Sequence, residues 1–359
     1  MNNLNIKVQK HIETAKTHKD DYLVIVLGNV KNITRNFKDY DKGTTVISEF
    51  YNLNQFNMIV NSLQKNGVET LCYFDEMDFI HDYSSQIIRN NYPKKFIVLN
   101  FAQKGVVQGR KSLIPVFCEM NDIVHTNSNG FASSFAREKF YWSLCLSNFF
   151  ATPKSWLFGK HGWVTDRPEV GMRVIVKLTN QASSIGLDSA DSVFLYSNDC
   201  DGYIADLSKK YNEPVIVQQF IVGKEAEVPI FNDGNDCFAL PPAGIIIDKT
   251  DALGTKFLDY DKRGNQGFER FNLSEKYPTL AQNLQKASVA IAEFMDLQGI
   301  CRIDYRIDDN DKFYVTDINC NPHLTQTSCI SKSMGYIGFG EYDDMLFALI
   351  GLTLNRHPN

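Results

Sequence analysis

The strongest chemical signal in the chain is a set of oxygen-bearing side chains between Gly299 and Ser328, where the sequence reads GICRIDYRIDDNDKFYVTDINCNPHLTQTS. Asp304, Asp317 and Asn319 offer two carboxylates and an amide oxygen. If they meet, they form a hard-oxygen site suited to Mg²⁺ carried on a nucleotide. Arg302 shares a strand face with Asp304 and can place a fixed positive charge beside the metal. Two plainer readings stand beside this one. The first is a solvated acidic hairpin, since most surface charges contribute little. The second is a calcium loop, for which Asp309 and Asp311 have the alternation but the loop glycine and the distal glutamate are missing.

The elements that must position these groups follow from periodicity. Ile303, Tyr305 and Ile307 alternate with Arg302, Asp304 and Arg306, which predicts a strand. Asp308 to Asp311 is a polar turn, and Phe313 to Asn319 returns with Asp317 and Asn319 on one face. Paired about that turn, Asp304 meets Asp317 and Asn319. An irregular stretch, Asn321 to Ser328, follows at once.

Earlier in the chain, residues 1–20 read as a polar leader, helical or loose. The apolar run Leu23–Leu27 predicts a buried strand ending at Gly28. Phe56, Ile59, Val60 and Leu63 have helical spacing, with Gly67 as the stop. Further strands are expected at Val68–Phe74, Phe96–Asn100 and from Ile123, with a helix over 107–120. Strands alternating with helices imply an open parallel α/β domain over 1–125. A small domain over 126–212 holds a helix capped by Ser133 or Ser134 and running to Phe149, then a strand ending at Lys177. Ser183, Ser184 and Gly186 follow, a loop able to cradle phosphate oxygens or to serve as a plain turn. A third domain, 213–359, opens with two strands around Val222-Gly223 and contains an amphipathic helix through Leu280, Leu284, Ala287, Ile291 and Met295.

Composition narrows the class. At 359 residues, with 43% hydrophobic and 22% charged residues, the chain is an ordinary globular protein of two or three domains. A formal charge of -5 argues against a nucleic-acid binder. The polar N-terminus has no signal core, and no eighteen-residue apolar run suggests a membrane span. Eight cysteines without a C-x-x-C pair read as reduced thiols of a cytoplasmic protein.

RIDYRIDDNDKFYVTDINCNPHLTQTS resembles the metal and catalytic segment of the D-alanine:D-alanine ligases of the ATP-grasp superfamily, whose pattern is R-x-D, a dozen residues, then E-x-N-x-x-P-G-[ML]-T-x-x-S. Asp317 stands where that family has Glu, and His323 where it has Gly. The resemblance implies an α/β ATP-grasp fold in three domains and an ATP-dependent carboxylate–amine ligase acting through an acyl phosphate. ATP and Mg²⁺, in one or two ions with Mn²⁺ as a substitute, would be its cofactors. Small amino acids or carboxylic acids would be its substrates, and a homodimer its assembly.

Residue by residue, the resemblance puts Asp304, Asp317 and Asn319 on the metal. It gives Arg302, Ser184 and His323 catalytic roles. Lys177 with Ser183 and Ser184 matches the phosphate loop K-P-x-x-x-G-S-S-x-G. Arg137, or its neighbour Lys139, is the basic residue on the adenine side. Gln218, Gln219, Phe220 and Ile221 line the adenine and Glu225 holds the ribose, although Phe220 and Ile221 would equally serve as core. In FLDYDKRGNQGFERFN, Arg263 falls on the phosphate-binding lysine, with Lys262 adjacent. Ser328 matches the serine that binds the second amino acid's carboxylate. Glu49 is the counterpart of an early substrate-binding glutamate, or only a surface acid. Asn100-Phe101 replaces a His-Gly pair and Gln103-Lys104 replaces Glu-Asp. With His323, which either reshapes the acceptor pocket or points outward, these departures count against strict D-alanine dimer synthesis. The alternatives are a true D-alanine:D-alanine ligase and a catalytically silent ATP-binding protein.

Overall fold

The structure, a computed structural model, describes residues 3–35, 46–180, 192–258 and 267–357. Its strands form three sheets. In the first, β1 (Tyr22–Leu27), β2 (Thr70–Tyr73), β3 (Lys95–Asn100) and β4 (Val124–His125) run parallel in the order β2-β1-β3-β4. All six residues of β1 are buried, as expected for an apolar run covered on both faces. The helix Leu53–Lys65 starts at a capping box in which Asn52 and Gln55 satisfy each other's backbone N–H.

Of the helical and loose readings of the leader, the structure has the helix, Asn3–Thr17, whose Val8, Ile12 and Ala15 pack in one core with Leu346, Phe347 and Ile350 of the last helix, Tyr342–Arg356. Gly351 makes the approach feasible, because a Cβ there would lie 1.8 Å from the His11 carbonyl oxygen. The helix expected over 107–120 is instead a 3₁₀ turn, Gln108–Lys111, followed by a helix, Leu113–Met120. The tighter turn sends the consecutive side chains of Arg110 and Lys111 inward, and both are buried.

The second sheet is antiparallel, with β5 (Ser155–Gly159), β6 (Gly162–Trp163), β7 (Arg173–Leu178), β8 (Val193–Leu195) and β9 (Val215–Gln219) in the order β6-β5-β9-β7-β8. Because β9 pairs with β5 and β7, the chain leaves this sheet at Val222-Gly223 and not at residue 212. We therefore move the boundary between the second and third units to that point. The helix before this sheet also differs. It begins at Gly130, capped by Asn129, whose side chain accepts from the Ala132 N–H at 2.8 Å, so Ser133 and Ser134 lie inside it. A separate helix covers Lys139–Leu146.

The third sheet carries β10 (Lys224–Asn232), β11 (Cys237–Ala239), β12 (Ala243–Ile246), β13 (Glu269–Asn272), β14 (Gly299–Ile307) and β15 (Phe313–Asn319). Its order is β13-β12-β10-β14-β15, with β11 on β10. The amphipathic helix Pro278–Phe294 covers one face, burying Leu284 and Ile291 with Ile303 and Tyr305. The Ser288 and Tyr305 hydroxyls share a hydrogen bond of 2.8 Å beneath it. Covering that face turns the alternate residues of β10, β14 and β15 to the other side. All eight cysteines are free thiols. Among the described residues no helix is long and apolar enough to cross a membrane.

Candidate active site

The opposite face of the third sheet carries a row of charges in register. Glu225 and Glu227 of β10 lie opposite Arg306 and Asp304 of β14, and Asp304 and Arg302 lie opposite Asp317 and Asn319 of β15. Arg302 is a fixed fork: its Nε donates to Asp304 Oδ1 at 2.6 Å and its Nη2 to Oδ2 at 2.7 Å. Its Nη1 lies 3.6 Å from Glu227 Oε1. Arg270 on β13 completes the row, with Nε donating to Glu227 Oε2 at 2.7 Å and Nη1 to the Thr327 carbonyl at 3.1 Å. That second bond ties the row to the irregular segment after β15. Asn319 Oδ1 accepts from the Asn321 N–H at 3.1 Å, which orients the amide.

Burial sets the electrostatics. Asp304 is raised above the usual carboxylate range by burial and by its neighbours Glu227 and Asp317, against the pull of Arg302. Burial would raise Asp317 too, but Lys139, Lys177 and Arg302 overcome it and hold this carboxyl low. Lys139 Nζ is 3.9 Å from Asp317 Oδ1. Lys177 is lowered to about 8 by burial, partly offset by Asp317.

At the end of β9, Gln218 is buried and its amide oxygen accepts from Lys177 Nζ at 3.1 Å, while its nitrogen donates to Ser155 Oγ at 3.0 Å. Lys177 takes one lone pair of that oxygen, and the second is left for an adenine amino group. Gln219 ends the strand, and Phe220 and Ile221 are buried just beyond it. Glu225 accepts from the Leu258 N–H at 3.2 Å and from Arg306 Nη1 at 3.1 Å. Arg306 had no role in the sequence reading. Its guanidinium lies 4.7 Å from the Phe220 ring centre and donates to the carbonyls of Ile221, Gly254 and Lys256 at 2.8–2.9 Å. Its shared face with Arg302 and Asp304 was the available signal.

Arg137 reaches towards the N-terminal unit. Its Nη2 lies 3.2 Å from Glu49 Oε1 and donates to the Asn180 carbonyl. Of the pair named from the sequence, Lys139 is the one near Asp317. Glu49 is no surface acid: it is buried between Arg137, Arg110 (3.0 Å to Oε1) and Lys111 (2.8 Å to Oε2). Burial opposes its ionisation, yet Arg137, Lys111 and Arg110 hold it well below the usual range.

His323 points at the N-terminal unit. Its Nε2 lies 2.6 Å from the Glu49 carbonyl oxygen, and the ring stacks on Tyr51 at 4.5 Å. Nε2 must therefore carry the proton, and burial lowers the imidazole's pKa and favours its neutral form. Ser328 caps the helix Cys329–Tyr336, its oxygen accepting from the Ser331 N–H at 3.2 Å. Asn100 is fully buried, and its carbonyl accepts from Asn321 Nδ2 at 3.3 Å. Ser183, Ser184, Lys262 and Arg263 lie outside the described residues.

The donor set fits a hard divalent cation. Two carboxylates face each other across β14 and β15, Asp304 is raised partly by negative neighbours, and the third donor is an oriented amide oxygen. Arg302 uses one lone pair on each Asp304 oxygen, which leaves the others for a metal. Among the described residues there is no group of three or more His, Cys, Asp or Glu side chains around one point, so the amide is needed to complete the set.

Comparisons with known proteins point the same way. Residues 152–351 match the family model described as D-ala D-ala ligase C-terminus. The chain is similar to the D-alanine–D-alanine ligase of Aquifex aeolicus, 26% identical over 71% of this chain and 81% of that one. It is similar to that of Syntrophotalea carbinolica, 28% identical over 80% and 88%. Among solved structures, D-alanine–D-alanine ligase from Bacillus anthracis superposes with a TM-score of 0.65, at 19% identity, over 93% of this chain and 97% of that one. The VanG D-Ala:D-Ser ligase of Enterococcus faecalis gives 0.64, at 14% identity, over 93% and 99%. These superpositions make the fold ATP-grasp.

Proposed function

The chain belongs to the D-ala D-ala ligase C-terminus family, and from that premise we propose how its own residues drive an ATP-dependent, ADP-forming ligation of a carboxylic acid to an amine. A carboxylate oxygen of the acid attacks the γ-phosphorus, and the bond from that phosphorus to the bridging oxygen breaks. ADP leaves with the electron pair and an acyl phosphate remains. The amine nitrogen then attacks the acyl carbon, the carbon–oxygen bond to phosphate breaks, and inorganic phosphate departs as the nitrogen loses a proton. The product is an amide.

The physical obstacle is the approach of two anions. Lys139 and Lys177, both beside Asp317, supply positive charge where the phosphates would lie. Arg302, braced by Asp304 and Glu227, is a preset donor for the oxyanion of the tetrahedral intermediate. Asp304, Asp317 and Asn319 would hold Mg²⁺, with Mn²⁺ as a substitute, and the ion would neutralise phosphate charge. Gln219, Phe220 and Ile221 line the base, and Glu225, oriented by Arg306, takes the ribose hydroxyls.

The observation that carries this reading is the register of β14 against β15, which faces Asp304 with Asp317 and Arg302 with Asn319. Hydroxylamine tests it, because it substitutes for the amine and converts an acyl phosphate to a stable hydroxamate. With ATP, Mg²⁺ and a panel of D- and L-amino acids and simple carboxylic acids, ADP and hydroxamate should form in equal amounts. ATP binding without hydroxamate from any acid would instead favour a silent nucleotide-binding protein. Turnover with D-alanine alone would assign the classical dipeptide reaction.

A further inference from the structure

Glu49 is surrounded in a way that does not suit an ammonium group. It ends the 3₁₀ turn Val46–Glu49, and both its oxygens are taken. Arg110 and Arg137 contact Oε1 at 3.0 and 3.2 Å, and Lys111 contacts Oε2 at 2.8 Å. All four side chains are at least nine-tenths buried. Three cations thus meet one carboxylate, which leaves two positive charges in excess within the contact group. Glu213 and Glu138 lie nearby, but Glu213 already accepts from Thr179 Oγ1 and the Asn180 N–H, and a reoriented Asn180 amide donates to Glu138. Both also act on the cluster through space: Glu213 favours the charged form of Arg110, and Arg137 favours the ionised form of Glu138.

The guanidinium edges are incompletely used. Arg110 gives Nε to Gln103 Oε1 at 3.0 Å and Nη2 to Glu49 and the Asn180 carbonyl, but its Nη1 is buried with no hydrogen-bond partner among the described residues. Arg137 Nε is likewise buried and unpartnered. A buried cation with an idle N–H is costly unless something accepts from it, and the guanidinium fork matches an oxyanion. The cluster adjoins the reaction centre on two sides. Arg137 is two residues from Lys139, which faces Asp317, and His323 bonds the Glu49 carbonyl.

We propose that the acid substrate of this ligase carries a second oxyanion, a carboxylate or a phosphate, that is bound by Arg110, Lys111 and Arg137 beside Glu49. This rests on the ligase reading above and identifies its acid by class. A substrate bringing only a free ammonium would meet three cations and a carboxylate already neutralised. A second oxyanion would supply the acceptors that Arg110 Nη1 and Arg137 Nε lack.

The test uses the full chain with ATP, Mg²⁺ and hydroxylamine. The acids are D- and L-alanine, D- and L-aspartate, D- and L-glutamate, succinate, glutarate and O-phosphoserine. Acids with a second anion should show kcat/KM at least about tenfold above alanine. The phosphate and carboxylate arms tell which oxyanion is preferred. Lys111→Gln should shrink that preference through KM, with hydroxamate formation from alanine falling less than that from the dianionic acids. Because the cluster is buried, calorimetric binding to the wild-type protein with a non-hydrolysable ATP analogue is the second readout. There, succinate or aspartate should bind more tightly than alanine. Equal or better use of alanine overturns this inference and leaves the ligase reading intact. If no acid yields hydroxamate, the ligase reading falls, and calorimetry still decides the anion site: preferential binding of the dianions supports it, and no preference removes it.

Discussion

Asp304 faces Asp317 because Thr316 is squeezed out of the ladder between β14 and β15. From the turn the pairing runs Ile307 with Phe313, Arg306 with Tyr314 and Tyr305 with Val315, then shifts by one so that Asp304 meets Asp317 and Arg302 meets Asn319. The Thr316 hydroxyl donates to the Asp304 carbonyl at 3.1 Å and fastens the bulge. Without the shift, Asp317 would stand opposite Ile303, on the face buried against the long helix. Asp317→Asn keeps the shape but removes a charged donor and leaves Lys139 and Lys177 without their carboxylate. Metal affinity, read as the Mg²⁺ concentration for half-maximal ADP release, should weaken by at least about 10–100-fold, the range seen even for lost outer-shell partners. Unchanged Mg²⁺ dependence would remove Asp317 from the metal set.

The alternation of Ile303, Tyr305 and Ile307 with charged residues, and the two-residue spacing of Asp317 and Asn319, made the hairpin and its ligand candidates legible. The bulge that puts them on one face was not, because Thr316 carries no mark of being the extra residue. Interactions across large sequence distances were hidden for the same reason. Nothing local ties Arg306 to carbonyls near residues 221 and 254, or Glu49 to Arg110 and Arg137. The 3₁₀ turn at 108–111 was read as helix because QGRKSLIPVF has helical apolar spacing from Leu113 onward, and propensity does not distinguish a tight first turn from an α-helical one. The pairing of β9 with β5 and β7 is not legible, because PVIVQQ is a strand wherever it pairs, and pairing is not written in its residues.

Arg302 should separate chemistry from binding. Its fork is held by both Asp304 oxygens, and Glu227, itself bonded to Arg270, lies behind it. Arg302→Lys replaces the fork with a point charge that cannot keep both bonds. Loss of a preset oxyanion donor typically lowers kcat by about 10²–10³, and the KM for ATP should change little. Glu227→Gln tests positioning: kcat should fall by less, again at constant KM for ATP. A rise in KM with kcat preserved would place Arg302 in ground-state binding.

Lys177 predicts an alkaline limit to ATP use. Burial lowers its pKa from 10.5 to about 8, so the free enzyme's lysine is charged below that pH and neutral above it. The kcat/KM for ATP, which reports the free enzyme, should be level below about pH 8 and fall above it. Unfolding does not confound this. The unfolded lysine stays protonated up to 10.5, so between 8 and 10.5 the unfolded state binds more protons and this group makes the fold more stable as pH rises. Lys177→Arg should abolish the inflection; a profile identical to wild type would exclude Lys177 as its source.

His125 predicts the opposite limb. Burial, with Arg356 and His357 adding to it, lowers its pKa from 6.5 to about 3. The folded state therefore holds this ring neutral across a window in which the unfolded state is protonated. Its contribution is fully present above 6.5 and is lost as pH falls toward 3, by on the order of a few kcal/mol in all. His11 and His323, also lowered by burial, act in the same direction. Thermal midpoints measured from pH 7 to 4 should drop steeply for the wild type and less steeply for His125→Gln. Parallel curves would mean that His125 is not a source of the acid sensitivity.

Gly223 and Arg306 together should set how well the base-binding linker keeps its shape. Gly223 joins the second and third sheets at φ +143°, and a Cβ there would sit 1.9 Å from the Ile307 carbonyl oxygen. No side chain can give way, because the obstacle is backbone at the end of the β10–β14 pairing, where Ile307 stands opposite Lys224. Arg306 clamps the same turn from the other side through the carbonyls of Ile221, Gly254 and Lys256. Arg306→Gln takes the donor from the buried Ile221 carbonyl, at about 1–3 kcal/mol for a group left unsatisfied, and it also frees Glu225 from its orienting partner. Both Gly223→Ala and Arg306→Gln should lower the thermal midpoint and raise the KM for ATP. Only Arg306→Gln should also reduce discrimination between ATP and 2′-deoxy-ATP, since it alone unfastens the carboxylate assigned to the ribose. If deoxy-ATP discrimination is instead unchanged in Arg306→Gln, Glu225 does not take the sugar.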